Sequence, residues 1–154
     1  MSLIQLQTLI AAAPPERCFD LSVSIEIHLA SAATTGERVI SGPRSGVLGP
    51  GDTVTWEARH LGMRCRLTVK ITAYERPRMF RDEMLSGPLR RMRHDHWFEP
   101  HADGTRMRDE FEFASVLAPL DALVLKPHLR RFLLTRNDTI RRVAEGTDWR
   151  RYLT

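Results

Sequence analysis

FRDEMLSGPLRRMRHDHWFEPHADGTRMRDEFEF, Phe80–Phe113, contains three runs in which apolar and charged side chains alternate. A period of two is the signature of a strand with one covered face. Gly87-Pro88 separates the first run from the second, and Asp103-Gly104, a favoured hairpin dipeptide, separates the second from the third. The spacing predicts antiparallel strands over Met79–Ser86, Leu89–Glu99 and Thr105–Ser115. Alternation sorts them: Phe80, Asp82 and Met84 face away from Arg81 and Glu83. Met92, His94, His96 and Phe98 oppose Arg91, Arg93, Asp95 and Glu99, and Met107, Asp109, Phe111 and Phe113 oppose Arg106, Arg108, Glu110 and Glu112. One face is apolar and aromatic, the other charged.

The same texture extends upstream. Thr53–Leu61 and Met63–Glu75 pair across Gly62, with Val54, Trp56, Ala58 and His60 on one inner face and Cys65, Leu67, Val69, Ile71 and Ala73 on the other. Arg38–Gly42 is a short strand followed by the Gly/Pro-rich stretch GPRSGVLGPGD. Ile4, Leu6, Thr8 and Ile10 form a first strand, ended by Pro14-Pro15. Glu16–Ala30 reads as two short helices with Cys18, Leu21, Ile25 and Leu29 inward, the second capped by Ser22. A long helix is expected from Pro127 to Glu145, with Leu129, Phe132, Leu133, Ile140 and Val143 as its inner stripe and Gly146 after it. The order of elements predicts one α+β domain over residues 1–146 with a C-terminal tail at 147–154. The long helix must cover the apolar face of the sheet. A strongly curved sheet cannot meet a straight helix everywhere, so a cavity between them is expected.

Composition fits this reading. The chain has 154 residues, 42% hydrophobic and 27% charged, which is ordinary for a globular domain. Its net charge of +4 leaves an acidic partner open. No apolar run approaches the roughly 20 residues a membrane span needs, and the first residues read as a strand, not a signal peptide. Two cysteines, Cys18 and Cys65, without zinc spacing point to a reduced, cytoplasmic setting and to no metal. The glycine-rich stretch lacks the GK[ST] ending of a phosphate loop, and no cofactor fingerprint is present.

The runs ERVISGPRSG (Glu37–Gly46), VTWEARHLG (Val54–Gly62), LTVKIT (Leu67–Thr72), FRDEMLSGPL (Phe80–Leu89), RHDHWFE (Arg93–Glu99) and DGTRMRDEFEF (Asp103–Phe113) together resemble the bacterial SRPBCC proteins. These belong to the START-like superfamily, which includes Bet v 1-like proteins. The resemblance runs from about Ile4 to about Arg142. It implies the helix-grip fold, a curved antiparallel sheet with two short helices and a long C-terminal helix enclosing a cavity. It also implies a hydrophobic ligand, since the superfamily holds lipid carriers, hormone-binding proteins and polyketide aromatase/cyclases.

Five polar side chains interrupt the inner face: His60, Asp82, His94, His96 and Asp109. Hairpin pairing places Asp82 opposite His94, and Asp109 beside His94 or His96, within cross-strand reach. Such a cluster serves as a satisfied core network, as the polar end of a ligand pocket, or as an acid–base pair. The ligand-binding set expected is these five together with Trp56, Leu67, Val69, Phe80, Phe111 and Phe132. The leading expectation is a carrier or sensor of a lipid-like or aromatic small molecule. The enzymatic alternative is a cyclase, aromatase or dehydratase in which His94 or His96 is the base and Asp82 or Asp109 orients it. The third is a protein-interaction module using the basic sheet face. Sparse exposed aromatics among the arginines argue against nucleic acid. A homodimer stays open.

Overall fold

The computed structural model describes residues 1–154, the side chain of Ala118 excepted. Strand β1 (Ser2–Ile10) leads into helices α1 (Pro15–Ser22) and α2 (Ile25–Ser31). A meander follows: β2 (Arg38–Ser41), β3 (Thr53–His60), β4 (Met63–Glu75), β5 (Met79–Ser86), β6 (Arg91–His101) and β7 (Gly104–Ala114). A short turn of helix, α3 (Ala118–Leu120), passes through a π-helical turn at Asp121–Leu125 into α4 (Lys126–Glu145). The wide turn lies where Pro127, with no N–H to give, enters the helix.

All seven strands form one antiparallel sheet, ordered β1-β7-β6-β5-β4-β3-β2. Register irregularities between Val39 and Ser41, Thr68 and Val69, and Ile71 and Ala73 bend it. The last of these corrects the alternation expected for β4. The extra residue turns Ala73 off the inner face and brings Tyr74 in, opposite Phe80. Asp82 pairs with His94 and Asp109 with His96, as the hairpin turns require. The β6–β7 turn is centred on Ala102-Asp103, one residue earlier than expected, with Ala102 at positive φ. Gly104 instead solves a crowding problem, because a Cβ there would lie 1.9 Å from the Ile10 carbonyl oxygen.

Ser24, not Ser22, caps α2, accepting from Ile27 N at 3.2 Å; Ser22 ends α1 and donates to the Cys18 carbonyl. The two helices close one end of the fold, where Phe19 packs edge-on against Tyr74, Phe80 and Phe98 with centroids 5.1–5.4 Å apart. The glycine-rich stretch is strapped to this end by Ile25 N→Gly46 O and Leu48 N→Val23 O, both 2.9 Å. Residues 147–154 turn back on the domain: the Tyr152 carbonyl accepts from Ser24 Oγ at 2.6 Å, and Trp149 and Leu153 pack on the core. The fold is the α+β helix-grip arrangement.

The outer sheet face is closed by ion pairs. Arg81 reaches Asp95 at 2.6 Å, Arg93 reaches Glu112 at 2.9 Å, and Arg108 reaches Glu99 at 2.8 Å. Glu57 is held by both Arg38 and Arg66. Much of the basic charge on that face is thus neutralised by side chains of the same sheet.

Candidate functional site

Between the sheet and α4 lies a cavity of about 420 Å³, within the range of small-molecule sites. Trp56, Leu67, Val69, Phe80, Phe111 and Phe132 line it, as do His60, Asp82, His94 and His96. Asp109 does not. It lies behind the imidazoles, 1% exposed, where β7 meets β1 and α4.

The polar floor follows from parity and one helix. Each carboxylate bonds the histidine diagonal to it and not the one directly opposite. His96 Nε2 lies 2.7 Å from Asp82 Oδ2, and His94 Nε2 lies 2.7 Å from Asp109 Oδ1. The expected Asp82–His94 hydrogen bond is therefore replaced by Asp82–His96, because the rings lean along the strand and lie 3.6 Å apart, centroid to centroid. From α4, Arg136 Nη2 approaches His96 Nδ1 at 3.2 Å, and Asn137 Nδ2 donates to Asp109 Oδ2 at 2.7 Å. A guanidinium only donates, so His96 Nδ1 accepts and its proton sits on Nε2. His96 has both nitrogens engaged. His94 does not: Nδ1 has no hydrogen-bond partner among the described residues, and it is not sealed from the cavity.

Electrostatics reinforce the assignment. Burial, with the neighbouring His96, holds the His94 imidazole below its ordinary value despite the pull of Asp109. Burial opposes charge on Asp82, but the hydrogen bond from His96 and the nearby positive groups outweigh it and lower its pKa. Burial likewise opposes charge on Asp109, but the hydrogen bond from His94 and the nearby His96 and Arg136 outweigh it and hold that carboxyl well below the carboxylate range. The floor thus carries two carboxylates against one guanidinium and a neutral, carboxylate-oriented His94. Asp82, His94 and His96 offer ligand atoms within 4.8 Å of one another. The Arg136 guanidinium at His96 opposes a divalent cation there.

Two further polar pairs line the cavity. His28 stacks on Trp56, centroids 3.8 Å apart, and its Nε2 lies 2.5 Å from Glu37 Oε1. His60 Nδ1 meets His128 Nε2 at 2.9 Å, and burial holds both imidazoles below their usual value. Sequence reasoning placed His60 on the inner face but missed Glu37, His128, Arg136 and Asn137. The last two carried a signal: Leu129, Phe132, Leu133, Arg136, Asn137 and Ile140 step by three and four along one helix stripe. Of the expected stripe, Leu133 and Ile140 are buried, while Phe132 is a half-buried cavity wall beside His60.

The sequence profile of the family described as "Polyketide cyclase / dehydrase and lipid transport" matches residues 4–145. No curated protein matches. Among solved structures, the chain is similar to protein CV1439 of Chromobacterium violaceum, with 14% identity and TM-score 0.72, covering 96% of this chain and 100% of that one. TTHA0849 of Thermus thermophilus shows 18% identity and TM-score 0.68 over 90% and 97% of the two chains. The major latex-like protein 151 of Panax ginseng shows 12% identity and TM-score 0.69 over 94% and 98%. At such identities the likeness establishes the fold.

Proposed function

The chain belongs to the polyketide cyclase/dehydrase and lipid-transport family, and from that premise we propose that it binds one apolar, hydroxyl-bearing small molecule as a carrier or sensor. The observation that carries the reading is an apolar cavity with His94 Nδ1 as an unengaged acceptor at its floor. Apolar walls supply affinity, and the acceptor orients the ligand. With Asp82 and Asp109 both ionised against Arg136, the floor selects against a carboxylate ligand and for a neutral hydroxyl or phenol. An environment-sensitive apolar dye should bind one to one and be displaced by polycyclic phenols more strongly than by fatty acids of similar size. Preferential displacement by fatty acids would refute the assignment of the floor.

One observation favours an enzymatic second reading. Asp109 orients His94 as a carboxylate orients a general base, and Arg136 lies beside it as a donor for a developing oxyanion. His94, and not His96, is the base on that reading. A bound enolisable diketone such as dibenzoylmethane should then exchange its central proton with deuterium faster than in buffer, and His94→Gln should remove the acceleration.

A further inference from the structure

The ends of β3, β5 and β7 and the start of α4 lie at one end of the sheet, around the opening of the cavity. Among the described residues, eight of the thirteen exposed large apolar side chains are at this end. Leu61 and Met63 flank the β3–β4 turn, Leu85 ends β5, and five more fall between Val116 and Val124. Leu123 is 77% exposed. Scattered surface leucines need no explanation, but a collection on three separate segments around one opening does.

The exposed charges at this end are basic. Arg59, Arg64, Arg90 and Arg91 are exposed, and none has an ion-pair partner among the described residues, in contrast to the paired arginines of the outer sheet face. The acidic side chain in the β7–α4 connection, Asp121, is 5% exposed and turned in on Ser115. A protruding aliphatic rim inside a basic collar matches the apolar interior and anionic headgroups of a lipid surface. An acidic protein would satisfy the collar, but aliphatic tips without aromatic anchors make a poor protein hot spot. No helix among the described residues is long and apolar enough to cross a membrane, so contact would be peripheral.

We infer that this end docks on anionic bilayers, with the cavity mouth against the membrane, so that an apolar ligand moves between acyl chains and cavity without crossing water. The inference adds a docking surface to the ligand-binding reading and is tested apart from it. In flotation with vesicles of phosphatidylcholine and phosphatidylglycerol in equal parts, the protein should float, less so at high salt and little with phosphatidylcholine alone. Leu123 does not line the cavity. Leu123→Asp should reduce flotation about tenfold or more while leaving melting temperature and dye binding unchanged. Arg90→Ala with Arg91→Ala should weaken binding to the mixed vesicles by about fivefold per arginine. A wild-type protein that stays in solution with these vesicles would overturn the inference, as would a Leu123→Asp variant that floats like it. A dimer dissolved by Leu123→Asp, with no flotation, would assign the face to a second copy and also overturn it. Loss of dye binding in the wild type would instead strike the ligand-binding reading.

Discussion

The two faces of β5, β6 and β7 hold acidic side chains one residue apart and use them in opposite ways. On the outer face Arg81 closes on Asp95 with two hydrogen bonds, 2.6 and 3.0 Å, and the guanidinium is about a third exposed. On the inner face Asp82 and Asp109 meet histidines under α4, Asp109 sealed beneath them and Asp82 on the cavity floor. A saturated cation–carboxylate pair is chemically finished. A neutral imidazole oriented by a carboxylate still has a nitrogen to offer. Alternation alone turns one charged sequence, RHDHW, into a stabilising face and a receptive one.

Removing a carboxylate from each face should separate them most clearly. Asp109→Ala leaves His94, Arg136 and Asn137 without their shared acceptor and should cost about 3–5 kcal/mol in denaturant unfolding. Asp95→Ala should cost only about 1–2 kcal/mol, because Arg81 can turn to water. Equal losses would break the contrast. Phe98→Ala, at the sealed end and 2% exposed, should cost about 3–5 kcal/mol. Phe132→Ala should cost clearly less, because the ring borders space already empty, and should enlarge the cavity.

Acid should act on the inner face first. The His94 pKa is lower folded than unfolded, so its contribution to stability is complete above about 6.5 and is lost as pH falls toward the folded value. His60 and His128 shift the same way and add to this limb. Asp82 and Asp109 are also lowered, so a second loss begins below about pH 4 as the unfolded carboxylates protonate. Urea midpoints measured from pH 8 to pH 3 should fall in these two stages, and His94→Gln should shrink the first. The smallest effect belongs outside: Arg108→Ala, from a pair about 40% exposed on both sides, should change stability by about 1 kcal/mol or less and leave dye binding unchanged.

The sheet was legible because turn residues and period-two patterning agree along β3, β5, β6 and β7. The inward positions of His94, His96, Asp82 and Asp109 followed from that parity. Their bonding did not, because ring lean along a strand decides between direct and diagonal partners and leaves no trace in spacing. The bulge at Ile71–Ala73 was likewise silent, since Thr72 is an ordinary strand residue and its unpairing is a demand of sheet curvature. Arg136 and Asn137 were hidden by residue type: polar groups on a helix usually face water, and only their place on the 129–140 stripe says otherwise.

If His94 Nδ1 accepts from a bound hydroxyl, a matched pair of competitors reveals it. Displacement of the dye by 2-naphthol and by 2-methylnaphthalene should be measured on the wild type and on His94→Phe. The wild type should prefer the phenol by about tenfold, the worth of one buried hydrogen bond, and His94→Phe should bind both compounds without preference. A wild type that does not distinguish them, or a preference that survives in His94→Phe, would contradict the account.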